Sequence, residues 1–77
     1  MTELELRVLR VARDIGDGAS NEQIAHCLGT RATDAITNTL RTLQSNGHLR
    51  LEVTSPELVH VAEIMPKGYR TLSACNY

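Results

Sequence analysis

One side of a predicted helix over residues 30–47 gathers side chains whose types and spacing suit hydrogen bonding to a ligand. The apolar residues of this helix recur within an arc of about 80°, which predicts a buried face. They are Ala32, Ile36, Leu40 and Leu43. The opposite arc carries Arg31, Asp34, Thr37, Asn38, Arg41, Thr42 and Ser45. Arginine, asparagine and threonine match the base edges and phosphates of a DNA major groove, whereas a merely solvated face more often carries lysine and glutamate.

The predicted DNA-binding residues divide by role. Those expected to reach base edges are Thr33, Thr37, Asn38 and Arg41. Arg31 and Ser45 are expected to hold phosphates, and Arg50 in the following strand completes the set. The alternative, an ordinary solvated helix face, stays open at this point because most polar residues of a surface helix face water.

The first element that must position this helix is itself a helix over residues 2–15, where Thr2 and Glu5 form a capping-box pattern. Its apolar residues are Leu4, Leu6, Val8, Leu9, Val11, Ala12 and Ile15. Their arc is wider than the ~100° that one packed face needs, which predicts a second buried surface against a partner. We therefore expect a homodimer whose interface contains Leu4, Val8 and Val11. The stripe of Arg7, Arg10 and Arg13 is either paired with acidic neighbours on the helix or in contact with phosphate.

The next segment predicts a short helix followed by a tight turn. Gly16-Asp17-Gly18 ends the first helix, and Ala19 is expected to add one short strand pairing to a sheet. Ser20 and Gln23 form a second capping box, and Gly29 stops the short helix. Its inward residues are Ile24, Ala25 and Leu28. A short helix, a glycine turn and a long helix with a polar face make a helix-turn-helix arrangement.

The remaining residues predict a hairpin and a closing helix. Residues 48–54 alternate apolar and charged side chains, as expected of a half-buried strand, and residues 55–57 form a turn. Residues 58–64 form the antiparallel partner strand, although either of its faces could be buried. Pro66 suits the first turn of a last helix, which Gly68 weakens. The expected fold is therefore a small α+β winged helix-turn-helix domain over residues 1–77, with three helices, a β-hairpin wing and a short C-terminal helix.

The order of these motifs resembles the winged helix-turn-helix transcriptional regulators of the MarR and PadR kind. It runs L-G, I-T-N-T-L-R-T-L-Q-S-N-G-H-L, a hairpin, and I-M-P-K-G-Y-R-T-L. Gly47 matches the glycine before the wing in that family, and residues 64–72 resemble its L-T-x-x-G-x-x-x-L stretch. The resemblance covers nearly the whole chain and implies a dimer that binds DNA and regulates transcription.

This sequence departs from the family pattern in three ways. Met65 stands where the family usually has threonine, so the last helix lacks a side-chain cap. The wing is acidic, whereas a wing that contacts DNA is usually basic. The sequence ends at Tyr77 without the long dimerisation helices common in the family, which leaves the first helix and any short tail as the expected dimer surface.

Composition limits the remaining functions. The net charge of −1 permits nucleic-acid binding only if positive charge is segregated onto one face. His26, His48 and His60 lack the spacing of metal ligands, and no phosphate loop or paired catalytic carboxylate is present. We expect no enzyme activity, cofactor or metal. Cys27 is expected to be a small packed residue and Cys75 an exposed tail thiol of a cytoplasmic protein. Neither a signal peptide nor a membrane span is expected.

Two functions from different classes follow from these observations. In the first, the chain is a small sequence-specific transcriptional regulator that inserts its third helix into the major groove of double-stranded DNA. In the second, it is a protein-interaction module, such as an anti-repressor or an adaptor from a mobile element. The usual use of this fold favours the first function, which is our prediction, whereas the weak net charge and the acidic wing favour the second.

Overall fold

The elements follow one another in the order that the sequence predicts. The computed structural model describes residues 1–75, which form four α-helices and one three-stranded antiparallel sheet. They are α1 (Glu3–Ile15), β1 (Ala19–Ser20), α2 (Asn21–Cys27), α3 (Thr33–Ser45), β2 (Leu49–Ser55), β3 (Leu58–Ile64) and α4 (Pro66–Ala74). The central strand is β3, with β1 and β2 on either side. The predicted α+β class and the predicted short strand at Ala19 are confirmed.

The core fills the space between the helices and the inner face of the sheet. Its large aliphatic members are each at most 2% exposed: Val8, Leu9, Ile24, Ile36, Leu40, Leu43, Leu49, Val59, Val61 and Leu72. Leu40 and Leu43 were predicted at the centre of the inner arc of α3, and both are fully buried. Thr39 is also buried, because its Oγ1 donates to the carbonyl oxygen of Ala35 at 2.8 Å and so needs no water.

The beginnings of α1 and α2 are capped as predicted. The hydroxyl of Thr2 accepts a hydrogen bond from the backbone N–H of Glu5 at 3.2 Å. Ser20 and Gln23 form the full capping box, in which each side chain accepts from the backbone N–H of the other residue, at 3.0 and 2.9 Å.

The start of α3 differs from the prediction. The helix begins at Thr33, three residues later than the predicted boundary at residue 30. The hydroxyl of Thr30 instead accepts from the N–H of Ala32 at 3.0 Å, which holds residues 30–32 in a turn. Ala32, predicted on the buried face, therefore lies outside the helix and is exposed.

The end of α3 leads directly into β2. Gly47 adopts a φ of 80° and donates to the carbonyl oxygen of Gln44, while His48 donates to that of Leu43, both at 2.9 Å. This pair of bonds is a Schellman motif, for which Asn46-Gly47 is a suitable sequence. In addition, Gln44 accepts from the N–H of Leu51 at 2.6 Å, which ties α3 to the hairpin.

The hairpin pairs β2 with β3 and settles which face of β3 is buried. Val59 and Val61 are at most 1% exposed, so the face they share packs on the core. Register shifts near Arg50 and beyond Val53 interrupt the alternation of β2. Val53 pairs directly with the buried Val59, yet it is 64% exposed although it was predicted on the apolar face.

The last helix, α4, begins at Pro66 as predicted and has no side-chain cap at Met65. Gly68 lies so close to His48, the residue before β2, that a Cβ atom there would clash with the carbonyl oxygen of His48. This close approach explains a glycine inside a helix, where it is otherwise unfavourable. Lys67 donates to the carbonyl oxygen of Asn46 at 2.6 Å, so α4 also closes the end of α3.

Candidate nucleic-acid interface

The outer face of α3 is open to solvent along its length. Its exposed residues are Asp34, Ala35, Asn38, Arg41, Thr42 and Ser45. Asn38 lies at the centre of this arc, and Arg41 follows it by one turn, so both side chains project from the same side. Thr42 donates to the carbonyl oxygen of Asn38 at 3.1 Å, so its hydroxyl proton is already used within the helix.

The arginines of the protein fall into two groups. Arg7 pairs with Glu3 at 2.8 Å, and Arg50 pairs with Glu63 across the hairpin at 3.1 Å. Arg10 and Arg13 both lie within 4 Å of the same carboxylate on α1. By contrast, neither Arg31 nor Arg41 has an ion pair to any of residues 1–75. Together with Arg70 on α4, the arginines predicted for α3 are therefore those that have no ion pair to an acid among residues 1–75.

Thr37 is the predicted base-contacting residue that the structure uses internally. Its Oγ1 donates to the carbonyl oxygen of Thr33 at 2.9 Å and accepts from Nδ2 of Asn21 at 2.8 Å. Since its proton and one lone pair are engaged and the residue is half-buried, Thr37 supports the packing of α3 on α2. We correct its predicted role accordingly.

Asn21 joins three elements and was missed by sequence reasoning. Besides its bond to Thr37, its Nδ2 donates to the carbonyl oxygen of Glu57 in the hairpin turn at 3.0 Å. The residue is 0% exposed, and its Oδ1 has no partner among the described residues. The hairpin turn is thus fixed relative to α2 and α3 through one buried amide.

An acidic groove lies between the hairpin turn and the starts of α2 and α3. It is lined by Glu22, Thr33, Asp34, Ser55, Glu57 and Leu58. Thr33 is half-buried at its wall, while the three carboxylate residues are exposed. The groove therefore repels phosphate at the place where the hairpin approaches α3.

The hairpin supplies little positive charge to this surface. Arg50 is its one basic residue other than histidine, and it is paired with Glu63 on the neighbouring strand. Glu52 and Glu57 are exposed on the same hairpin. Glu63 therefore offsets the positive charge of Arg50, which was predicted to bind DNA.

The residues predicted for a dimer interface are not all accessible. Val8 is 0% exposed within the single chain, so it belongs to the core and its predicted contact with a partner is wrong. Leu4 is 42% exposed, and Val11 is half-buried against the core. One flank of the wide apolar arc of α1 therefore remains exposed to solvent.

The cysteine and histidine residues form no shared site in the part of the chain that the structure describes. No three His, Cys, Asp or Glu residues of that part are arranged to hold a metal ion. Cys27 is exposed, which corrects its predicted packing, whereas Cys75 is exposed as predicted. None of the helices within residues 1–75 is both long and apolar enough to cross a membrane.

His48 is buried at the junction of α3 and β2, with 6% of its surface exposed. Burial, followed by the nearby positive charge of Lys67, lowers the pKa of its imidazole below the usual 6.5. Its Nδ1 has no hydrogen-bond partner in the described chain. The ring is therefore neutral at pH 7 and serves the packing of this junction.

Comparisons with protein-family models, with curated proteins and with solved structures found no match to this chain.

Proposed function

We propose that this chain is a winged helix-turn-helix domain that binds duplex DNA with α3 in the major groove. Helices α2 and α3 have the lengths and the intervening turn of a helix-turn-helix, and the β2–β3 hairpin follows as a wing. The observation that carries the proposal is the solvent-exposed face of α3, on which Asn38 and the unpaired Arg41 project together. Asparagine and arginine are the side chains that pair best with adenine and guanine in the major groove.

In this proposal, the residues that contact phosphate differ from those that contact the bases. Arg31 lies just before α3, where the helix dipole and the free backbone N–H groups also favour an anion. Ser45, at the other end of the exposed face, is available to donate to a second phosphate. Phosphate contacts of this kind position the helix, whereas Asn38 and Arg41 read the base pairs.

The acidic groove determines how far the contact extends. Asp34 and Glu57 lie at the hairpin end of the interface, so phosphate is disfavoured there. The middle and C-terminal part of α3 then carries most of the contact, with the tip of the hairpin contributing little. Binding to random DNA is expected to be weak and to fall as the salt concentration rises.

The direct test is chemical-shift mapping with a random-sequence DNA duplex at about 50 mM salt, where phosphate contacts are strongest. We expect the largest changes at Asn38, Arg41 and Ser45. Amides of the exposed residues Arg70 and Ser73 on α4 are the internal control and should not move. Shifts that miss α3 altogether, or no shifts at all, would contradict the proposal.

The acidic groove itself supports a second candidate, a protein-interaction module without DNA binding. Three exposed carboxylates at one groove suit a basic peptide segment better than a nucleic acid. For this function, the same mapping with a lysine- and arginine-rich peptide should shift Glu22, Asp34 and Glu57 and leave Arg41 unchanged.

A further inference from the structure

Strand β2 forms one edge of the sheet, and part of its backbone faces away from the other strands. Residues of an antiparallel strand direct their N–H and C=O groups alternately toward and away from the neighbouring strand. Leu51 directs its groups away from β3, because its N–H donates to the side-chain oxygen of Gln44 at 2.6 Å. Its cross-strand partner Val61 directs its carbonyl oxygen to the opposite side, where it accepts from Gly18 at 2.9 Å. The register is regular from Leu51 to Val53, so Val53 also directs its N–H and C=O outward.

This outward edge already pairs with an amide oxygen at one position. The Oε1 atom of Gln44 occupies the place that a carbonyl oxygen of a fourth strand would take at Leu51. At Val53 no group does the same, since within residues 1–75 its N–H has no hydrogen bond to a group outside the strands. The carbonyl of Leu51 and both backbone groups of Val53 are therefore open to an added extended segment, as expected of a strand edge.

We propose that this edge of β2 binds an extended peptide segment of a protein partner, which adds to the sheet as a fourth, antiparallel strand. The partner residue opposite Val53 exchanges two backbone hydrogen bonds with it, and the carbonyl of Leu51 accepts a third. The surface is distinct from the exposed face of α3 and from the acidic groove, so the proposal goes beyond both functions proposed above.

The side chains along the edge define the chemistry of the partner. Val53 is 64% exposed and is the most exposed large apolar side chain of residues 1–75, so an apolar side chain opposite it covers both. Glu52 points to the other face of the sheet and is exposed, and it has no ion pair to any of residues 1–75. In an antiparallel pairing, the partner residue that follows the apolar one lies opposite Glu52, where a basic side chain complements its charge. The expected segment is therefore extended and alternates apolar with basic residues.

This pattern excludes two other occupants of the edge. Phosphate is repelled by the unpaired carboxylate of Glu52, so a nucleic acid does not suit it. A second copy of β2 that pairs Val53 with Val53 places Thr54 opposite Glu52, so the carboxylate gains no cation. A basic segment of another protein provides both the apolar and the charged contact.

An NMR titration of the full chain with a capped peptide of alternating lysine and valine tests the proposal. No DNA is present, so the outcome is independent of DNA binding. We expect saturable shifts of the amides of Leu51, Glu52 and Val53. The matched control is the same peptide with N-methylated valines, which keeps every side chain and charge but blocks pairing along the edge, so it should bind at least about tenfold more weakly. Equal binding of the two peptides, or shifts confined to the acidic groove, would overturn the proposal.

Two substitutions at Val53 test the same hydrogen bond from the side of the protein. Val53→Pro removes an N–H that lies outside the β2–β3 ladder, which is where an edge strand tolerates proline. Val53→Thr keeps the N–H and the branched shape. Val53→Pro should weaken peptide binding at least about tenfold, and Val53→Thr should stay within about threefold of the wild type. A Val53→Pro protein with unchanged circular dichroism that binds as tightly as Val53→Thr would contradict strand addition.

The charge contact has its own matched pair of variants. Glu52 and Glu57 are both exposed on the hairpin without an ion pair in residues 1–75, but only Glu52 lies on the β2 edge. Glu52→Gln should therefore weaken peptide binding at least about threefold, whereas Glu57→Gln should change it by less than about twofold. The reverse order would place the peptide in the acidic groove and overturn the proposal.

Discussion

His48 shows how one buried residue links the helical part of the molecule to the sheet. Its backbone N–H donates to Leu43 at the end of α3, and its carbonyl oxygen accepts from Met65 before α4, at 2.9 and 3.0 Å. The imidazole is held in the same junction, where burial and Lys67 lower its pKa. Protonation therefore has to occur against both desolvation and a neighbouring positive charge.

The pKa of His48 predicts acid destabilisation. The unfolded chain takes up a proton as the pH falls through about 6.5, whereas the folded chain does so only at lower pH. Stability is thus full above pH 6.5 and declines as the pH falls towards the folded pKa. Urea unfolding from about pH 7.5 to about pH 5 should show this loss, and His48→Gln should reduce it. The exposed His26, changed to Gln, is the control and should keep the slope. An unchanged slope in His48→Gln would contradict the assignment.

At the scale of single residues, the sequence predicts local contacts better than remote ones. The capping box of Ser20 and Gln23 spans three residues and follows from residue types alone. The contact of Asn21 with Glu57 joins residues 36 positions apart and depends on the finished packing. For the same reason, the sequence predicts that the hydroxyl of Thr37 contacts DNA, whereas in the structure it accepts a hydrogen bond from Asn21.

At the scale of elements, α3 has to serve the core and an interface at once. Its inner residues Ile36, Leu40 and Leu43 are at most 2% exposed, while Asn38 and Arg41 lie on the outer face. Any base contact therefore depends on how firmly the inner face holds the helix in place.

The stability lost when Leu40 is replaced by alanine measures how much the buried face contributes to holding α3 in place. Leu40 is fully buried, so Leu40→Ala should lower the free energy of unfolding by about 2–5 kcal/mol through lost burial and a residual cavity. Urea denaturation provides the measurement. Thr42→Ala, on the exposed face of the same helix, is the control and should change stability by less than about 1 kcal/mol. A comparable small loss in Leu40→Ala would mean that the buried face is assigned incorrectly.

The helices and strands themselves were predictable because their apolar periodicity ends where glycine and proline residues predict turns. Glycine and proline signals locate the turns, and the predicted limits of β3 and the start of α4 match the structure. The exposure of Ala32 was not predictable from helical periodicity. It depends on the turn of residues 30–32, which the hydroxyl of Thr30 holds by accepting a hydrogen bond from Ala32. Likewise, the buried face of β3 follows from its pairing with β1 and β2, which alternation alone left open.

At the scale of the whole molecule, a net charge of −1 conceals an uneven distribution. Arginines on α1 and β2 are neutralised by nearby acids, whereas Arg31 and Arg41 beside and on α3 have no ion pair within residues 1–75. The carboxylates of Glu22, Asp34 and Glu57 gather at the hairpin end of the same surface. Composition could predict that positive charge must be segregated for DNA binding, but the ion pairs that decide where it remains depend on the fold.

The most direct test of DNA binding through α3 is a fluorescence-anisotropy titration of a labelled random-sequence duplex at about 50 to 200 mM salt. Arg31→Ala and Arg70→Ala each remove one exposed arginine, from the turn before α3 and from α4, so the change in net charge is the same. The proposal predicts that the wild type binds, that its affinity falls as the salt concentration rises, and that Arg31→Ala weakens binding at least about fivefold while Arg70→Ala stays within about twofold of the wild type. No binding at about 50 mM salt, or equal losses in the two variants, would contradict it.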